Sequence, residues 1–148
     1  MTELERLLAI DEIKQLKAKY FLGIDHQDWE LWRDEVWAPD ARLEVPEMGY
    51  NVEPRDKLIE WVAGQSTEQV SVHHGHMPII DITSDTTATG LWAMEDRIYR
   101  TLAQPLNGET SFVLGFGHYH ESYVKLDVGW RIQSTRLTRL RTEYVNVH

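Results

Sequence analysis

The chain contains no cysteine. That absence removes disulfides, thiolate metal sites, iron–sulfur clusters and a thiol nucleophile together. Positive charge is also scarce: 15 Lys and Arg stand against 24 Asp and Glu, a formal net charge of −9 with histidine neutral. An acidic chain repels phosphate backbones and anionic lipid surfaces, so neither nucleic acid nor a membrane is an expected partner. No apolar run approaches the roughly 20 residues of a membrane helix. The opening Met1-Thr2-Glu3-Leu4-Glu5-Arg6 lacks the basic-then-apolar pattern of a secretory signal. A cytoplasmic location is the expectation. There is no internal repeat, low-complexity tract or linker, and 148 residues suit one domain spanning 1–148.

Apolar residues make up 42% of the chain, and rings are abundant: six Trp, six Tyr and three Phe. Such a chain builds a core, and large rings suit a lined cavity. The first third reads as helix. Thr2 followed by Glu5 fits a capping box. Leu7, Ile10, Ile13, Leu16, Tyr20 and Ile24 then recur at three- and four-residue steps, with Lys14, Lys17 and Lys19 expected on the other side. A short helix is expected over Asp28 to Trp37, with Asp28 as N-cap, and a weak strand over Ala41 to Val45. A third helix is expected after Glu53, with Pro54 at its first position and Gly64 at its end. From Val70 the pattern changes to four long strands, Val70–Ile82, Thr86–Tyr99, Ser111–Lys125 and Trp130–Val145. The turns expected are Thr83-Ser84-Asp85, Pro105-Leu106-Asn107-Gly108 and Leu126-Asp127-Val128-Gly129. Helices followed by an antiparallel meander give an α+β class, in which a strongly bent sheet encloses a pocket for a small molecule.

Two residue sets carry candidate chemistry. Asp25 falls at the end of the first helix beside the apolar stripe. The negative end of the helix dipole opposes it there and burial adds a desolvation cost, so a cationic or donor partner is expected. A histidine would serve, because an Asp–His pair fixes the imidazole tautomer and stabilises imidazolium. Five of the seven histidines cluster on two strands: His73, His74 and His76, then His118 and His120. Alternation sets His73 with Ser71 and Met77, and turns His74 and His76 the other way, toward an outer face or a subunit interface. His118 and His120 share a face with Phe112, Leu114 and Phe116, which reads as interior. On the preceding strand Gly90, Trp92, Met94 and Asp96 share a face, with Trp92 and Met94 expected on the cavity wall and Phe116 continuing it. A competing use of the imidazoles is a zinc or iron site from His74 and His76 with His118, His120 and a carboxylate such as Glu95 or Glu121. His73 and His74 cannot both face one centre without a bulge. The arginines Arg131, Arg136, Arg139 and Arg141 read as partners of acids on neighbouring strands.

The stretch Ile13 to Asp25, then Trp29 and Trp37-Ala38-Pro39-Asp40-Ala41, resembles the opening of a SnoaL-like domain of the nuclear transport factor two-like superfamily. Val72-His73-His74-Gly75-His76, Gly117-His118-Tyr119-His120 and Gly129-Trp130-Arg131-Ile132 match its later strands. Within that group the chain is most similar to γ-hexachlorocyclohexane dehydrochlorinase and, more distantly, to scytalone dehydratase and bile-acid dehydratase. The resemblance implies a cone-shaped barrel with a deep hydrophobic cavity, no metal and no organic cofactor. It places the family's catalytic aspartate on Asp25 and its catalytic histidine on His73. Where the dehydrochlorinase carries a lysine about one helical turn before its aspartate, this chain has Tyr20. Its last-strand arginine falls on Thr135, beside Arg136.

The resulting expectation is a cofactor-independent lyase or isomerase on a small, hydrophobic, cyclic molecule. His73 would be base, Asp25 its partner, Tyr20 and His118 donors to substrate oxygen, and His120 a further donor. The alternative is a non-catalytic binding module or a structural subunit like the small subunits of aromatic-ring dioxygenases. A homo-oligomer, dimer or trimer, is expected because another copy often covers the outer face of such a sheet.

Overall fold

The computed structural model describes residues 1–100 and 112–145, so the loop expected at Pro105-Leu106-Asn107-Gly108 lies outside the described residues. Helix α1 runs Glu3–His26, followed by α2 (Trp29–Leu31) and a π turn (Trp32–Val36). Strand β1 (Trp37–Val45), a 3-10 turn (Pro46–Met48), β2 (Tyr50–Val52) and α3 (Arg55–Ser66) come next. The four long strands are β3 (Gln69–Ile82), β4 (Thr87–Arg100), β5 (Phe112–Leu126) and β6 (Gly129–Val145). They form one sheet in the order β2-β1-β6-β5-β4-β3, antiparallel throughout except for the β1–β6 pair. This is the expected α+β class, a curved and mainly antiparallel sheet with N-terminal helices against one face.

The capping box forms as its spacing predicts: Thr2 accepts from the Glu5 N–H, and the Glu5 carboxylate accepts from the Thr2 N–H. The buried face of α1 is shifted from the expected stripe. Leu7 is exposed, while Ala9, Ile13, Leu16, Lys17, Tyr20, Gly23 and Ile24 are buried. Trp37 opens β1 instead of closing a helix, because the π turn spends its last residue at Val36. Pro54 caps α3 instead of sitting inside it, and Gly64 lies within the helix, which runs on to Ser66. Trp32 and Trp37 fill the core between α1 and the sheet, with Ile13, Val36, Leu58 and Ile132 fully buried around them.

Alternation along β4 holds as read: Ala88, Gly90, Trp92, Met94 and Asp96 point inward. On β5 the expected face is reversed. The buried positions are Val113, Gly115, Gly117, Tyr119, Glu121 and Tyr123, so Phe112, Leu114, Phe116, His118 and His120 stand on the outer face. A one-residue slip exchanges every side chain between faces, and here bulk misleads. A Cβ at Gly115 would fall on the Arg139 guanidinium and the Asp96 carboxylate, and one at Gly117 on the Thr138 carbonyl. The inner face of β5 therefore needs its small residues, and the larger rings go outside. On β3 the register shifts between His76 and Ile79, where Met77 has a φ of +33° and stands 92% exposed. Ser71 and His73 share the inner face, but this bulge removes Met77 from it.

Candidate active site

Asp25 lies in the last turn of α1, and β3 passes directly over it. Its Oδ2 accepts the His73 backbone N–H at 2.9 Å. Its Oδ1 accepts the Ser71 hydroxyl at 3.0 Å and faces His73 Nδ1 at 2.6 Å. A carboxylate that helix geometry disfavours at this end is thus compensated by three donors from one strand. An ionised carboxylate only accepts, so the Nδ1 of His73 carries the proton and a neutral ring leaves Nε2 as a base. The Asp25 side chain is 21% exposed and that of His73 is 8% exposed.

His73 lines a cavity of about 370 Å³ between the helices and the sheet. Ile24, Leu43, Val45, Trp61, Val62, Ile98, Val113 and Leu137 make much of its wall apolar. The polar end holds His73 with Tyr20, Tyr119, Asp96 and Arg139. Burial pushes both phenols well above their ordinary value, with the charges of Glu121 and Asp96 adding to the effect, so both stay protonated donors at neutral pH. Among the described residues, neither hydroxyl has a side-chain hydrogen bond that alters its pKa.

Beside His73, and paired with it across the strands, stands Asp96. Only 2% exposed, it takes a bidentate hydrogen bond from Arg139, with both N···O distances 3.0 Å. The Arg139 Nε meets Glu47 at 3.0 Å. Burial works against the guanidinium charge, but the bonds and charge of Asp96, with Glu47, outweigh it and hold Arg139 above its ordinary value. This ion pair spans β4 and β6 over the bare Cα of Gly115.

A second charged cluster lies behind the phenols. Lys17, fully buried, donates to Glu121 Oε1 at 2.6 Å, and the same carboxylate accepts from Thr135 and Tyr123. Trp92 Nε1 donates in turn to the Tyr123 hydroxyl. The Lys17 ammonium sits 3.8 Å from the Tyr20 ring centroid and 3.7 Å from that of Tyr119. Burial lowers its pKa, while Glu121 pulls the other way.

Several expected positions move. Trp92 and Met94 are buried but belong to the core and do not line the cavity; Asp96 is the residue of their face that reaches it. Phe116, His118 and His120 are on the far side of the sheet from His73, and His120 Nε2 meets Thr138 Oγ1 at 3.0 Å. Their inward neighbour Tyr119 supplies the ring facing the cavity. Thr135 carries no cation, yet the buried Lys17 and the partly buried Arg139 flank the site from positions that spacing did not single out for it.

A model of the SnoaL-like domain family matches residues 5–136 of the chain. A Novosphingobium aromaticivorans protein provisionally described as a scytalone dehydratase superposes with a TM-score of 0.83 at 20% identity, covering 99% of this chain and 94% of that one. The hexachlorocyclohexane dehydrochlorinase LinA-type3 of Novosphingobium barchaimii superposes with a TM-score of 0.82 at 15% identity, covering 97% and 94%. A protein of unknown function from Mycobacterium tuberculosis reaches 0.79 at 26% identity, covering 95% of this chain and 78% of that one. Likeness to the first two is likeness of fold.

Proposed function

Because the chain belongs to the SnoaL-like domain family, we propose that it is a cofactor-independent lyase of the dehydratase kind, acting on a small, neutral, cyclic hydroxyketone. The observation that carries this reading is the 2.6 Å contact of His73 with Asp25 at the polar end of an apolar cavity. Two of the fold relatives have names that denote elimination chemistry.

In this reading a ketone oxygen accepts hydrogen bonds from Tyr20 and Tyr119. The acidified C–H beside it gives its proton to His73 Nε2, and Asp25 stabilises the imidazolium. The electron pair then expels hydroxide from the next carbon. His73 returns the proton to that leaving group, so water departs and the pair is reset. Without a leaving group, return of that proton from His73 to a different carbon of a conjugated enolate is isomerisation. Asp96 and Glu47 enclose Arg139 with carboxylates, leaving little attraction for an anionic substrate. Proton transfer by a positioned side chain contributes about 10²–10⁴-fold.

The test uses β-hydroxytetralone, a bicyclic β-hydroxyketone whose dehydration product absorbs in the ultraviolet. Wild-type protein should catalyse loss of water, and His73→Ala and Asp25→Asn should each lose about 10²-fold or more while keeping the fold. Equal turnover by wild type and either variant would overturn the mechanism. Binding without turnover would favour a carrier.

A further inference from the structure

The outer face of the sheet carries a second constellation, distinct from the cavity. His74 and His76 are both exposed, two residues apart on β3, and therefore project from the same side of the strand. Glu95 on β4 is the direct cross-strand partner of His74, and Ala93, opposite His76, adds only a methyl group there. One ligand atom from each of His74, His76 and Glu95 lies within 4.8 Å of the others. His76 Nε2 is 3.7 Å from Glu95 Oε2. We propose that His74, His76 and Glu95 form a surface site for a divalent transition ion of the zinc class.

The donor set suits that class. The two imidazoles are borderline nitrogen donors that prefer zinc and its neighbours to magnesium or calcium, which take oxygen, and zinc also accepts a single carboxylate. Bonds of about 2.0–2.2 Å around a tetrahedral ion need ligand atoms about 3.3–3.5 Å apart, so rotations that move the exposed side chains by about an ångström close the site. The carboxylate is already aimed. Glu95 Oε1 accepts from Arg97 Nε at 3.3 Å and Nη2 at 3.0 Å, which leaves Oε2 turned toward His76. An outer partner that orients a ligating carboxylate is a recurrent part of protein metal sites. Three protein ligands leave a fourth position for water or for a group from another molecule. The bulge after His76 belongs to the same stretch of β3. Nothing here depends on the reaction assigned to His73, whose ring is on the opposite face.

The experiment is calorimetric titration of the full-length, chelator-stripped protein with zinc chloride, with cobalt(II) absorption as a spectroscopic companion. The expected result is one saturable equivalent per chain. His74→Ala and His76→Ala should each weaken binding by at least about tenfold, and Glu95→Gln should weaken it measurably. All three side chains are at least partly solvent-exposed, so the variants should keep the wild-type circular dichroism. His120→Ala, on the same face but outside the triad, should bind as wild type. Absence of saturable binding would overturn the site. So would wild-type affinity in both His74→Ala and His76→Ala, or equal loss in His120→Ala.

Discussion

A carboxylate in the last turn of a helix meets the negative end of the dipole, and Asp25 is held there by Ser71 and His73 of β3. Removing one donor tests how tightly that arrangement is set. Ser71→Ala should slow turnover of β-hydroxytetralone less than Asp25→Asn does, and the ordering is read from initial rates. Gly115→Ala tests the other side of the polar end, because the new methyl has no room between Asp96 and Arg139. It should lower both melting temperature and turnover, by at least about tenfold for the latter if the polar end must keep its geometry. A donor partner for Asp25 was legible in sequence because Asp25 ends an apolar stripe, and the family resemblance points to His73 as that partner. Asp96 shares the inward face that alternation gives β4, but Tyr119 and the pairing of Asp96 with Arg139 were not legible. The inward orientation of Tyr119 goes with two glycines of β5 whose missing side chains leave no hydrophobic signal, so the ring-rich set Phe112, Leu114 and Phe116 reads as the inner face.

At the level of elements, α1 shows what periodicity can and cannot show. Its length and capping box were readable from Thr2, Glu5 and the three- and four-residue steps. The burial of Lys17 was not, because a lysine among charges looks solvated until Glu121 and two aromatic rings from the sheet and helix close over it. Breaking one half of a buried pair leaves the other charge without a partner. Lys17→Met should therefore destabilise the fold by about 3–5 kcal/mol in chemical denaturation. Lys17→Met combined with Glu121→Gln should cost less than the sum of the single changes. Additive losses would mean that the two side chains are not energetically coupled. The long strands were legible to within a residue or two, since alternation and turn residues mark them. The π turn and the shift of Trp37 into β1 were not, because they arise from packing against α1.

Across the whole molecule, the buried phenols set a limit on alkaline stability. Burial raises the pKa of Tyr20, Tyr119 and Tyr123 above the ordinary phenol value of 10.0. The unfolded chain loses these protons first, so their contribution is whole below that pH and falls as the pH climbs through the window above it. Lys17 has the opposite sign: its lowered pKa makes the charged form costly at neutral pH, and this cost is relieved as the pH rises toward the ordinary lysine value of 10.5. Melting temperature should therefore drop above pH 10, and Tyr20→Phe should make that limb shallower. An unchanged limb would show that Tyr20 can ionise in the folded state. The sheet order and the helices against it frame the cavity, and the family match accounts for that frame; the chemistry proposed within it rests on His73 and Asp25. The most direct measurement is hydrogen–deuterium exchange at the carbon beside the ketone of α-tetralone, followed by proton NMR in deuterated buffer. The account predicts accelerated exchange with wild type and loss of that acceleration with His73→Ala; exchange at the uncatalysed rate with wild type, or equal acceleration by the variant, would contradict it.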